Sequence, residues 1–246
     1  TETVFLGHKR LAIMDLSEAG HQPMHSFDQK FTIVFNGEIY NHLDVRNSLE
    51  KSLPKNFRWR GKSDTETLIT AISLWGVEET LNSSIGMFAF ALWDHRKQIL
   101  ILARDRMGEK PLYFGRIDGA FLFASELKSI VTFPGFDNKV SESSLKEYLR
   151  YNYIPAPASI YEDIYKLIPG SFAVIGKDHS IQYKTYWSPE KVFLHGGKNL
   201  FTNDTQALNF MEDQLSDAVS AQMLADVPLG AFLSGGIDSS LIAALM

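Results

Sequence analysis

The sequence predicts an α+β domain built on antiparallel sheet, followed by the first pieces of a parallel α/β unit. Over the first two thirds, short runs rich in aromatic and β-branched residues follow one another through turns of hairpin length. Capped helical segments interrupt these runs. The last residues, AFLSGGIDSSLIAALM (Ala231 to Met246), read as strand, glycine turn and helix, the alternation of a parallel α/β fold.

The strand candidates are FTIVFN (Phe31 to Asn36), GMFAFALWD (Gly86 to Asp94), QILILARD (Gln98 to Asp105), LYFGRI (Leu112 to Ile117) and AFLFAS (Ala120 to Ser125). The turns DHRK and DG between them are short enough for hairpins. Ser63 with Glu66 forms a capping box ahead of Leu68, Ile69, Ile72 and Trp75, and Gly76 is a left-handed stop. Asn41 to Leu49 and Ser141 to Tyr151 read as two further helices. SPEKVFLHGGKNLFTNDT, from Ser188 to Thr205, has Pro, Gly-Gly and Asn/Asp without a period, which marks a boundary. The expected division is 1–188, a linker over 189–204, and the beginning of a second domain over 205–246. There Leu208, Met211, Leu215, Ala218, Val219 and Met223 recur at helical spacing, and VPLGAFL leads as a strand into the glycine turn.

Composition narrows the function. With 246 residues, 45% hydrophobic and 22% charged, the chain is an ordinary globular mixture. A net charge of -5 argues against nucleic acid, whose phosphates call for a basic stripe. The longest apolar runs, IGMFAFALW and ILILA, fall short of the ~20 residues that cross a bilayer. No signal peptide is visible, so the cytoplasm is the expected location. The chain contains no cysteine, which excludes disulfides, thiolates and zinc–sulfur sites within it. His21 and His25 flank Pro23 and read as surface histidines rather than a metal pair.

Two stretches suggest chemistry. In SGGIDSS two glycines free backbone N–H groups at a helix N-terminus, where the helix dipole favours an anion, and the serines add donors. It lacks the GK[ST] of a Walker loop, so it need not perform γ-phosphoryl transfer. A Gly-Gly turn alone is more simply a serine-capped turn. The whole run Ser234, Gly235, Gly236, Asp238, Ser239 and Ser240 after an apolar strand end shifts the weight towards phosphate. In FNGEIYN an Asn side-chain amide and a neighbouring backbone N–H can point at one oxygen, the arrangement of an oxyanion hole. Asn-Gly alone is most often only a turn. Arg10 upstream, for a carboxylate, and Glu38 and Asp64, for an ammonium, would complete a pocket for a zwitterionic amino acid. Each charge taken singly is more simply solvated or capping. Arg104 and Asp105 read as an ion pair at a strand end, and Gly108 to Pro111 as a turn; that stretch is assigned to the fold rather than to chemistry.

The motifs HKRLAIMDL, FNGEIYN, GKSDTET, IGMFAFALWD, ARDRMGEKPLYFG, ASELKSI and SGGIDSS occur in this order. In that order they closely resemble the glutamine-dependent asparagine synthetases along nearly the whole length. The resemblance implies a four-layer αββα amino-terminal-nucleophile hydrolase fold, then the start of a parallel-sheet PP-loop ATP-pyrophosphatase domain. It implies that Arg10, Asn36, Glu38 and Asp64 bind glutamine with the backbone at Ile13 and Met14, and that Asn36 and Gly37 form the oxyanion hole. It implies that Ser234, Gly235, Gly236, Asp238, Ser239 and Ser240, with the backbone near Leu233, hold ATP, and that Asp238 helps hold Mg2+. Glutamine, aspartate and ATP are the implied ligands, with ammonia passing internally to β-aspartyl-AMP; the oligomeric state, a homo-oligomer included, stays open.

The family's nucleophile is a cysteine that begins the mature chain and uses its own α-amine as base. This chain has none, and only nine residues precede Arg10. Truncation at both ends is the expected explanation. Thr1 as a substitute nucleophile fails on spacing. Two other readings stand beside the first: an amidotransferase acting on another carboxylate, of a sugar or a peptide, and a glutamine-binding domain without a nucleophile.

Overall fold

The computed structural model describes residues 4–178, 180–197 and 200–246; Thr1 and two residues of the expected linker, 198 and 199, lie outside them. The chain runs from a 3-10 turn at Glu18–Gly20 through β1 (Met24–His25), β2 (Phe31–Ile39), α1 (His42–Leu49), α2 (Asp64–Trp75) and α3 (Val77–Ser83). It continues with β3 (Gly86–Asp94), β4 (Ile99–Arg104), β5 (Tyr113–Ile117), β6 (Ala120–Ala124), α4 (Leu127–Val131) and α5 (Glu142–Tyr151). β7 (Ile164–Lys166), β8 (Ser171–Ile175), β9 (Ile181–Thr185), α6 (Pro189–Gly196), α7 (Asp204–Gln222) and α8 (Ile237–Leu245) follow.

The strands form two antiparallel sheets, one of six in the order β1-β2-β3-β4-β8-β9 and one of three in the order β6-β5-β7. Strand alternation sends successive side chains to opposite faces. Ile33, Phe35, Phe88, Phe90 and Leu92 therefore pack under Leu68, Ile69 and Ile72 of α2 and Leu81 of α3. The other face, with Val34, Ala89, Ala91 and Leu102, meets Phe114 of the second sheet and Leu112 just before it. Beyond that sheet, Ile130 of α4 packs on Ile117 and Ile164. The layers thus run helices, sheet, sheet, helix. Each large side chain buried in these seams contributes roughly 1.5–3 kcal/mol, and Ile33, Ile69, Leu81 and Leu92 are fully buried.

Local chemistry sets the element ends. Asp94 Oδ1 accepts Arg96 N–H at 2.9 Å and Lys97 N–H at 2.8 Å, closing the β3–β4 hairpin. Asp118 and Gly119 take φ of 47° and 79° in the β5–β6 turn, the positive pair that matches strand twist. Ser63 Oγ accepts Glu66 N–H at 3.3 Å at the start of α2, and Gly76 stops it at φ 84°.

Several expectations are corrected. The capping box is only half formed, because Glu66 turns its carboxylate to Arg60 N–H at 2.9 Å and Gly61 N–H at 3.0 Å. The Asn36-Gly37 pair is not a turn: nine-residue pairing with β3 carries the strand through to Ile39. VPLGAFL forms no strand, since no described residues pair with it and its backbone lies open. The expected linker contains α6, capped by Ser188 with Pro189 at its first position. Arg104 and Asp105 do not pair with each other. Arg104 donates to the carbonyls of Gly108, Lys110 and Leu167. Asp105 gathers the N–H groups of Phe88, Met107, Glu109 and Lys110, so both residues wrap the loop 105–111 around a strand end. α3, α4 and the last three strands escaped the sequence reading. The apolar positions Leu208 and Met211 of α7 stand open.

Candidate active site

Alternation along β2 also positions the chemistry. Asn36 and Glu38 share the face of Val34, which looks toward the second sheet, and Ala89 and Ala91 on the neighbouring strand leave room in front of them. A cavity of about 600 Å³ opens there. Its wall includes Asn36, Gly37, Glu38 and Asp64 from β2 and α2, and Arg10, Ile13 and Met14 from the loop before the 3-10 turn. All residues expected to bind glutamine thus meet in one place.

Gly37 has φ 154°, and a Cβ there would stand 2.1 Å from Met87 O and 2.6 Å from Phe88 Cα. Only glycine lets β2 run this close to β3. Asn36 Nδ2 donates to Ser125 Oγ at 3.0 Å, leaving the second N–H of the amide for another acceptor. Arg10 donates to the carbonyls of Met14 (2.8 Å), Asp15 and Ser17 (3.3 Å), which holds the guanidinium against its own loop and leaves two of its five N–H groups for a carboxylate. Gln22 braces that loop on β2, accepting Phe35 N–H at 2.7 Å and donating to Phe35 O at 3.1 Å.

The two acids differ in environment. Burial pushes the Asp64 carboxyl up to about 6, against the N–H bonds from Ile39 (2.9 Å) and Thr65 (2.8 Å), and the Glu38 charge adds to the rise. Burial also raises Glu38, while the Lys110 ammonium opposes it. Lys110 and Ser125 both line the cavity and were missed as site residues. Lys110 sits in ARDRMGEKPLYFG, which was assigned wholly to the fold, and Ser125 in ASELKSI, quoted without a role. No local pattern marks either; Lys110 is delivered by the loop between β4 and β5 and Ser125 by the end of β6.

The glycine loop lies elsewhere. Leu233, Ser234, Gly235, Gly236, Asp238 and Ser240 are exposed, and Gly235 has φ 80°. Ser234 Oγ and Ser239 Oγ stand 2.9 Å apart, and Ser240 Oγ donates to Gly236 O at 2.8 Å. No side chain caps the N-terminus of α8, while the Gly236 N–H donates to Ser234 Oγ at 3.4 Å and Ser239 Oγ donates to Gly236 O at 3.1 Å, so the loop's own polar groups bond largely to one another. Among the described residues no group of three or more His, Asp or Glu side chains is arranged to hold a metal, and no helix is long and apolar enough to cross a membrane.

Two antiparallel sheets enclosed by helices, with a polar cavity at the end of the sheet interface, fit the amino-terminal-nucleophile hydrolase fold. The glutamine phosphoribosylpyrophosphate amidotransferase of B. subtilis shares this fold, with a TM-score of 0.50 at 19% identity over 73% of this chain and 34% of that one. The chain belongs to the glutamine amidotransferase domain family, whose model matches residues 1–187. A second model, asparagine synthase, matches residues 211–246.

Curated relatives cover both parts. Asparagine synthetase [glutamine-hydrolyzing] 1 of Bacillus subtilis (strain 168) is 36% identical over 244 residues, 99% of this chain and 37% of that protein. Putative asparagine synthetase [glutamine-hydrolyzing] 2 of Methanocaldococcus jannaschii is 33% identical over 99% of this chain and 48% of its own length. Amidase chyE of Penicillium rubens is 33% identical over 99% of this chain and 35% of its own length. The chain therefore spans between about a third and half of the length of these relatives.

Proposed function

We propose that the cavity binds glutamine and hydrolyses its side-chain amide, and that the whole protein transfers the ammonia to aspartate in an ATP-dependent amidation. The observation that carries this reading is the convergence of Arg10, Glu38, Asp64 and the Asn36-Gly37 donors on one cavity. The free N–H groups of Arg10 face the substrate carboxylate, and Asp64 with Glu38 faces its ammonium. The Asn36 amide and the Gly37 N–H stabilise the oxyanion that forms when the amide carbon becomes tetrahedral. The attacking thiolate and its amine base are contributed by a residue outside this chain.

At the second site, Ser234 to Ser240 hold the phosphates of ATP, and the helix dipole of α8 offsets their charge. Asp238 would supply one carboxylate for Mg2+, an ion usually held by one or two carboxylates together with phosphate oxygens and water. ATP activates the acceptor carboxylate by splitting between its α- and β-phosphates.

Steady-state glutaminase kinetics test the first half. Asn36→Ala is expected to lower kcat about 10²- to 10³-fold without unfolding the protein; an unchanged rate removes Asn36 from the oxyanion role. Loss of ATP-to-pyrophosphate exchange in Asp238→Ala is the matching expectation at the second site. A second acceptor reading stands beside the first, because a relative of equal coverage does not carry the asparagine synthetase name: the acceptor is then a carboxylate other than aspartate. Aspartate-dependent pyrophosphate release separates the two. Glutamine binding without any turnover in the whole protein would leave a binding module instead.

A further inference from the structure

The segment between α1 and α2 is strongly cationic. Residues 51–62, KSLPKNFRWRGK, hold five basic side chains and no acid. The net charge of -5 hides this, because residues 201–246 hold six acids and no Lys or Arg. Alternation turns the charges outward: Phe57 and Trp59 are half-buried, whereas Arg58 and Arg60 stand exposed. Trp59 packs with Leu53 on Val45 and Leu49 of α1 and Ala71 of α2, and the Arg46 guanidinium lies 3.9 Å from the centre of its ring. Phe57 meets Phe27 and Trp59 edge-on, at 5.2 Å and 4.9 Å between ring centres. The loop is thus held from beneath, and a fixed backbone presents its cations.

A neighbouring turn adds to the same face. Arg60 Nη2 donates to His25 O at 2.9 Å, which ties the loop to β1. The His25 and His95 rings both meet the Thr32 hydroxyl, at 2.8 Å and 2.6 Å, and so tie β1 to the β3–β4 turn, where Arg96 and Lys97 are exposed. The acids in contact with these segments are already engaged. Asp94 is 5% exposed and closes the turn, Glu66 is 2% exposed and pairs with Arg60 at 3.1 Å, and Asp28 pairs with Lys30 at 2.6 Å. Among the described residues Lys55, Arg58, Lys62, Arg96 and Lys97 have no carboxylate partner.

We propose that this face, with Arg58 and Lys62 on the loop and Arg96 and Lys97 on the turn, docks an extended acidic segment of a partner protein. In an extended chain alternate side chains share a face about 7 Å apart, so carboxylates at every second position meet the outward residues of a run with the same alternation. Nucleic acid fits less well. Single strands bind through rings on which bases stack, and here the rings are taken up by Arg46 and by each other. The proposal is independent of the glutamine reading above.

Fluorescence anisotropy on the whole protein tests it, with a fluorescein-labelled peptide of about twelve residues in which glutamate alternates with glycine. A peptide with glutamine in place of glutamate, and a single-stranded oligouridylate of the same length, are the comparisons. The glutamate peptide is expected to bind at least about tenfold more tightly than the glutamine peptide. Its affinity is expected to fall at least about tenfold as salt rises from about 0.1 M to 1 M, where the screening length drops from about 10 Å to 3 Å. Arg58→Glu combined with Arg96→Glu and Lys97→Glu is expected to weaken binding at least about tenfold. Lys146→Glu combined with Lys191→Glu, on α5 and α6, is the control and is expected to stay within about twofold of the parent. All five positions are exposed, so both variants are expected to keep the parent's melting curve, and the comparison of peptides depends on neither variant. No binding of the glutamate peptide, equal binding of the two peptides, full binding by the charge-reversed variant, or an equal loss in the control overturns the proposal. Oligouridylate bound more tightly than the glutamate peptide overturns the choice of an acidic protein segment.

Discussion

Asn36 Nδ2 donates to Ser125 Oγ across 3.0 Å, and this single bond links the six-stranded sheet to the end of β6 in the other sheet. It holds the Asn36 side chain in place at the cavity wall, with the amide nitrogen placed on the Ser125 hydroxyl.

Ser125→Ala is therefore expected to lower glutaminase kcat about tenfold while KM changes little, a smaller loss than that from removing the Asn36 amide itself. Ser125→Thr, which keeps the hydroxyl, is expected to restore most of the rate. Equal kinetics for alanine and the parent would show that the amide orients itself.

On the proposed glutamine reading, the buried Asp64 carboxyl, pushed up to about 6, is expected to make amino-acid binding depend on pH. Ionisation above that value supplies the charge for the substrate ammonium, so glutamine KM is expected to fall as pH rises from about 5 to 7. Asp64→Asn is expected to raise KM and flatten the profile. Stability has the opposite sign. The folded state holds this proton more tightly than the unfolded chain, whose carboxyl titrates near 3.8, so this group contributes a loss of stability as pH rises from about 4 to 6. Urea midpoints across that range, compared between Asp64 and its asparagine variant, measure the contribution.

His42 works the other way. It is 2% exposed, and neither ring nitrogen has a hydrogen-bond partner. Burial, with the nearby Arg46 charge, pushes it down to about 4, opposed by Asp226 and Asp44. The unfolded chain therefore binds the extra proton between about pH 4 and 6.5, and stability is expected to fall as pH drops through that window. A buried ring with two unsatisfied nitrogens gains nothing from its polarity. His42→Leu is expected to be as stable as the parent or about 1–2 kcal/mol more stable at pH 7, with a weaker acid dependence in thermal melts.

Gly37→Ala places a methyl group 2.1 Å from Met87 O, against backbone that cannot swing aside. A loss of at least about 2 kcal/mol is expected from denaturant unfolding, together with loss of glutamine turnover. Gly196→Ala, where a Cβ would meet nothing within 4 Å, is the control and is expected to change stability by less than about 0.5 kcal/mol.

How well the sequence could be read followed how local each signal was. β3 was legible to the residue, because an unbroken apolar run, Met87 to Trp93, between a glycine and an aspartate admits few other conformations. The Ser63 cap and the Gly76 stop of α2 were legible for the same reason. β9, reading IQYKT, was not: four of its five residues are exposed, and it is a strand only because β8 offers it an edge. Asn-Gly misled because its ordinary preference for a turn was overridden by pairing with β3.

Residue types and motif order by themselves determined the sheet-rich first part and pointed to two candidate chemistries and to residues that line one cavity, since these depend on local propensity and on which side chains are present. Tertiary structure alone decided that Asn36 lies inside a strand, that Ser125 and Lys110 join the cavity, and that the loop 51–62 and the β3–β4 turn share one cationic face. Those facts depend on contacts between residues far apart in the chain, and such contacts exist only once the sheets have packed.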